Sequence, residues 1–294
     1  MKNHTIITLL VAASAGCLFA FSSLISHGSV AQEPLPKEQI LARIDELKSL
    51  LGKKYWPTFD APEYALELNY YEEGPFRMHV VQNGRDDEPR MECSSPEITF
   101  QTVPGVTSYE EWYAMLLHEY FHGFQHKKYP GCWDRMIETC PEDFYTSDSL
   151  IAIRNHNRWY REMLDEENGL ITRMYESSDI EEVRDLFREF LPLRERRLDM
   201  VKEKIGLDIR EFYPITEAIE GGARYIEYSL YKEQGLEDTG WMFNLDGDSY
   251  YYASGFYLML MLEKFGIDFK NDLYGKYPTL TELIGSKLNV GSDG

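Results

Sequence analysis

The sequence predicts an α+β chain, mainly helical, in which a small N-terminal β-sheet packs on one long helix and the C-terminal part is helical. Apolar residues recur at helical spacing over several long stretches. Between Tyr55 and Val106, short runs rich in aromatic and β-branched residues alternate with turn clusters. With 294 residues, 43% of them hydrophobic and 14% aromatic, the chain carries enough apolar surface for a sizeable core.

The N-terminus reads as a targeting segment. Lys2 precedes an apolar run from Ile6 to Ile25, and Ser29 and Ala31 offer small residues before a cut ahead of Gln32. Residues 1–31 are then a signal peptide, 32–294 a single catalytic domain, and the product is exported, periplasmic or secreted. Left uncut, the run is just long enough to anchor the chain in a membrane. Ala15-Gly16-Cys17 imitates a lipoprotein cleavage site poorly, with Ser14 where a large aliphatic residue is expected.

Ile40, Leu41, Ile44, Leu47, Leu50 and Leu51 place an amphipathic helix before a break at Gly52. "FRMHVV" and "EITFQTV" then read as strands, separated by "NGRDDEP" and closed by Pro104-Gly105. Ser108 and Glu111 stand in capping-box relation and open a helix of about five turns from Tyr109 to near Lys128, before Pro130-Gly131. Further helices are expected at 150–167, at 180–205 with a kink or break at Pro192, at 216–232 and at 254–265. Within the last, "FYLMLMLEKFG" is apolar on nearly every side, and its methionines suit a buried core helix better than a copper site.

A net charge of -20 argues against nucleic acid, since such a surface repels phosphate; the charge serves solubility. Without residues 1–31, three cysteines remain, Cys93, Cys132 and Cys140. An oxidising compartment permits one disulfide, with Cys132 to Cys140 the pair nearest in sequence. No CxxC spacing is present.

The chemistry is concentrated in "LLHEYFHGFQH", residues 116–126. Two histidines four apart on a helix share one face, so the imidazoles of His118 and His122 can converge on one ion. Glu119 emerges beside that ion, where it can hold the attacking water and take its proton. About 0.02 such HExxH matches are expected by chance in a chain of this composition. His126 continues the spacing but stands about 12 Å along the axis from His118, too far to share an ion held at about 2.0–2.1 Å. The third ligand must come from another helix, and Glu220 in "ITEAIEGGARYIEY" is the choice over Glu217. Gly221 and Gly222 beside it each cost about 1 kcal/mol inside a helix. Together with Ala223 they suit a close crossing with the HExxH helix.

"HEYFHGFQ" followed by "EGGARYIEY" resembles the gluzincin branch of zinc metallopeptidases, whose pattern is HExxH plus a later glutamate, often EGxAxY. The likeness spans roughly residues 97–266 and reaches the superfamily, not a subfamily. It departs in the long interval between His122 and Glu220 and in lacking NExxSD. It implies a zincin-like fold, Zn2+ held by His118, His122 and Glu220, Glu119 as general base and then acid, and a peptide or protein substrate. It also implies a cleft strand just before the active-site helix, for which "SPEITFQTVPG" is well placed. Zincins take an oxyanion donor from a later helix, and Tyr250, Tyr251 and Tyr252 stand where one would begin; Tyr252 is the choice, with aromatic packing the competing reading. Arg154, His156, Arg158, Arg194 and Arg197, in the intervening helices, are candidates for a substrate carboxylate, against salt bridges or solvated faces. Two other functions fit the same residues: a non-catalytic zincin-like binding domain of the cell envelope, and a zinc amidase acting on cell-wall material.

Overall fold

The computed structural model describes residues 37–61, 68–70, 79–81, 90–93, 108–142, 144 and 146–290. Its helices are α1 (Lys37–Lys54), α2 (Tyr109–Lys128), α3 (Pro130–Thr139), α4 (Thr146–His156), α5 (Arg158–Glu176), α6 (Ile180–Ile205), α7 (Phe212–Gln234), α8 (Tyr250–Lys264) and α9 (Leu280–Leu288). A 3-10 turn spans Gly240–Phe243. No helix among the described residues is long and apolar enough to cross a membrane. The segment read as a signal peptide, residues 1–31, lies outside the described residues.

The α+β expectation, with a small sheet packed on the active-site helix, is corrected: the described residues are mostly helical, with 75% helix. Among the described residues the backbone traces three short strands, β1 (Leu68–Tyr70), β2 (His79–Val81) and β3 (Arg90–Cys93), ordered β1-β3-β2, with β1 parallel and β2 antiparallel to β3. Ladders of three or four residues are shorter than the usual, roughly five or six. The strand expected at 97–103, along the cleft, lies outside the described residues. Part of the aromatic content that reads as strand serves a turn instead. After α1, Trp56 and Phe59 are fully buried, with ring centroids 4.8 Å and 5.2 Å from that of Phe121 on α2.

The chain divides into two compact units. One holds the described residues up to Lys128 and Ile226–Thr239. Here α1 buries Ile40, Ile44, Leu47 and Leu51. Its helix runs through Gly52, where an added Cβ would stand 2.7 Å from Asp60, so that glycine serves a close approach and not a break. α2 is buried on nearly all sides from Trp112 to Gln125, and Ser108 Oγ caps it by accepting from Glu111 N at 3.2 Å.

The other unit holds Tyr129–Tyr225 and residues from Gly240. α5 packs on α4, α6 and α8, and α9 packs on α6 and α8. The helix expected at 150–167 is two, divided at Asn157, whose extended backbone cannot continue the turn. α6 runs unbroken through Pro192. Burial of Val183, Phe187 and Phe190 before the proline and Leu198 and Val201 after it outweighs the lost hydrogen bond. α3 and α9 escape sequence reading. Pro130 opens α3 near its first position, where it needs no amide partner, and Thr279 caps α9 by accepting from Glu282 N.

The Cys132–Cys140 pairing is also corrected. Both are free thiols, and the eight steps from one to the other follow a helix, about 12 Å of rise against the roughly 7 Å a disulfide tolerates. Cys93 carries no description of its side chain.

Candidate metal centre

α2 presents His118 and His122 on one face, each about 95% buried. α7 presents Glu220, partly exposed. One donor atom from each of the three lies within 4.8 Å of the others, so the group can hold a metal ion. Ligands of one zinc stand roughly 3.4 Å apart, and modest side-chain rotation closes the difference. His126 is outside the group.

The rings are oriented by residues that sequence spacing did not reveal. His118 Nδ1 donates to Glu227 Oε2 at 3.1 Å; a carboxylate only accepts, so the proton belongs on Nδ1. His122 Nδ1 donates to Gln125 Oε1 at 2.8 Å. With both Nδ1 atoms so engaged, Nε2 of each ring is the nitrogen that meets an ion. Glu227 stands two turns beyond Glu220 on the same helix, so α7 supplies both a candidate ligand and the partner of another candidate ligand. Tyr231, one turn further, stays a neutral phenol: burial pushes its pKa up, and the charges of Glu227, Glu111 and Asp238 push the same way.

Two buried imidazoles and one partly exposed carboxylate form a donor set suited to zinc or a similar first-row dication, with a coordination position left for a substrate or water. Glu119, 5% exposed, sits between the two histidines in sequence and next to both in helical phase.

Glu217, the acid set aside in favour of Glu220, is fully buried for a structural reason. Arg194 NH2 donates to its Oε1 at 2.9 Å, and Ser254 Oγ donates to the same atom. Arg194 and Arg197 both also bind Glu167. Burial raises the Glu167 pKa, but the two guanidinium groups outweigh it and hold the carboxyl below its ordinary range. Of the five cationic candidates, these two are therefore salt-bridged in the core. Arg154 donates to the Asp246 carbonyl, Arg158 pairs with Glu162 on the surface, and His156 Nδ1 meets the Ala152 carbonyl at 2.8 Å.

Gly221 makes its close approach to α8: a Cβ there would stand 2.7 Å from Gly255 Cα. The expected use of this glycine against α2 is thus redirected, and the crossing fixes the turn of α7 that carries Glu220. Tyr252 is 4% exposed and packs at 4.7 Å between ring centroids on Tyr251 and at 4.8 Å from the guanidinium carbon of Arg224.

No protein-family model, no curated protein and no solved structure matches this chain.

Proposed function

We propose that the chain is an exported zinc-dependent hydrolase, a peptidase of gluzincin type, with His118, His122 and Glu220 as ligands. The observation that carries this reading is the convergence of the three donor atoms within 4.8 Å, with Glu119 in the intervening position that general-base chemistry requires.

When bound, the ion supplies Lewis-acid polarisation of the scissile carbonyl and of the attacking water. Glu119 accepts the proton of that water and delivers it to the departing amine nitrogen, so one carboxylate serves as base and then acid. Glu227 and Gln125 keep the two imidazoles in the tautomer and orientation that expose Nε2. Burial of the histidines and of Glu119 excludes bulk water and strengthens each of these interactions.

The test uses Glu119→Gln. The variant should bind zinc as the wild type does and lose about 100-fold or more in peptide hydrolysis. Full activity in that variant would refute the mechanism. Zinc-loaded wild type inert towards a broad peptide library would refute the peptidase reading.

A further inference from the structure

Beside the joint of α4 and α5 at Asn157 lies a cleft of about 580 Å³, lined by residues of one compact unit. α5 gives it Arg161, Asp165 and Asn168, whose spacings of four and three residues keep them on one helix face. α4 gives it Arg154, and the segment after the 3-10 turn gives Leu245 and Asp246. Both arginines are partly buried, and both acids are exposed.

Opposite charges share this lining without pairing. Arg161 and Asp165 stand at the spacing where a helix ordinarily brings a cation and a carboxylate together. Instead Arg161 NH1 donates to the carbonyls of Arg154 at 3.0 Å and Asn155 at 2.6 Å, at the C-terminus of α4, where a cation meets the negative end of that helix. Arg154 donates to the Asp246 carbonyl and, at 3.5 Å, to Asn155 Oδ1. Among the described residues, neither arginine and neither acid makes an ion pair, and Nε and NH2 of Arg161 have no acceptor. Asn168, 6% exposed, gives Nδ2 to the Leu245 carbonyl at 3.1 Å, and its Oδ1 has no hydrogen-bond partner. A buried acceptor left without a donor is costly, and a ligand N–H supplies one.

The lining therefore asks for a molecule that carries both charges. Along α5, Asp165 stands about 6 Å and Asn168 about 10 Å beyond Arg161. An extended peptide advances about 3.3–3.6 Å per residue, so the termini of two or three residues stand about 7–10 Å apart. A single amino acid is too short to reach both ends.

We infer that this cleft binds a di- or tripeptide with free termini. The terminal carboxylate meets Arg154 and Arg161, whose forked N–H donors match its two oxygens. The terminal ammonium sits between the Asp165 carboxylate and Asn168 Oδ1, and Asp246 adds a second carboxylate to the lining. The site concerns binding alone and does not depend on the hydrolase reading.

The test is calorimetry on Glu119→Gln protein, in which the proposed hydrolysis is removed, with Ala-Ala, Ala-Ala-Ala, the N-acetyl and C-amide forms of each, and alanine. At least one free peptide should bind, and either block, or shortening to alanine, should weaken binding at least tenfold. Added to this background, Arg161→Gln should make acid and amide equal while the penalty for N-acetylation persists. Asp165→Asn should do the reverse, and both variants are checked for folding by circular dichroism. No binding of either free peptide at millimolar concentration, or binding indifferent to both blocks, would overturn the inference without reference to any variant. Penalties that survive unchanged in both folded variants would place the binding elsewhere and overturn it too. None of these outcomes reads turnover, so the hydrolase reading stands or falls separately.

Discussion

Glu227→Gln isolates the part of the metal centre that spacing alone does not show. Glu227 and His118 are each 6% exposed, and the carboxylate accepts from His118 Nδ1 at 3.1 Å. A hydrogen bond to a charged group is worth about 1.5–3 kcal/mol, more than the roughly 0.5–1.5 kcal/mol of a neutral one. Partners of this kind typically contribute about 10–100-fold in metal affinity, which is about 1.4–2.7 kcal/mol, in agreement with the first range. Glutamine keeps the shape but removes the charge, so the variant should bind zinc about 10–100-fold more weakly while retaining its fold by circular dichroism. Gln125→Ala removes a neutral acceptor from His122 and should cost less, roughly 2- to 12-fold. Zinc affinity is measured by competition with a chromophoric chelator. Affinity within twofold of wild type in Glu227→Gln, or a larger loss in Gln125→Ala, would refute the orienting role of Glu227.

Gly221→Ala tests the crossing of α7 and α8. In an open helix, alanine gains about 1 kcal/mol over glycine, but here its Cβ would meet Gly255 Cα at 2.7 Å. Overpacking of about 1–3 kcal/mol should exceed the gain and lower the denaturation midpoint; a stabilised variant would contradict the close approach. Burial pushes the Cys132 thiol up to about 12 and the Cys140 thiol up to about 11. At pH 8 the thiolate fractions are then about 10⁻⁴ and 10⁻³, so alkylation of the native protein should be slow at both positions and slower at Cys132. Rapid labelling of Cys132, or recovery of a peptide linking the two cysteines, would contradict the structure.

The parts legible in the sequence are those governed by local periodicity. The spacing of His118 and His122, the Ser108 cap and the reach of α2 to Lys128 all follow from a helical turn and appear as expected. Glu220 was legible as a candidate because the helix argument excluded His126 and pointed to a carboxylate or histidine on another helix, and the three side chains form a group that could hold a metal ion. What depended on distant contacts was not. Glu227 is 109 residues from His118, and only the fold brings the two side chains together. Gly52 and Pro192 are local breakers that tertiary packing overrides. Trp56 and Phe59 have β-propensity, but their value here is ring contact with α2, which no period records.

The most direct measurement is X-ray absorption at the zinc edge on the zinc-loaded protein and on Glu220→Ala. Wild type should show one zinc per chain with two imidazole nitrogens and a carboxylate oxygen at about 2.0–2.2 Å, and Glu220→Ala should lose that oxygen together with most of the affinity. Zinc bound equally well in Glu220→Ala, or lost only on His126→Ala, would contradict the assignment of His118, His122 and Glu220.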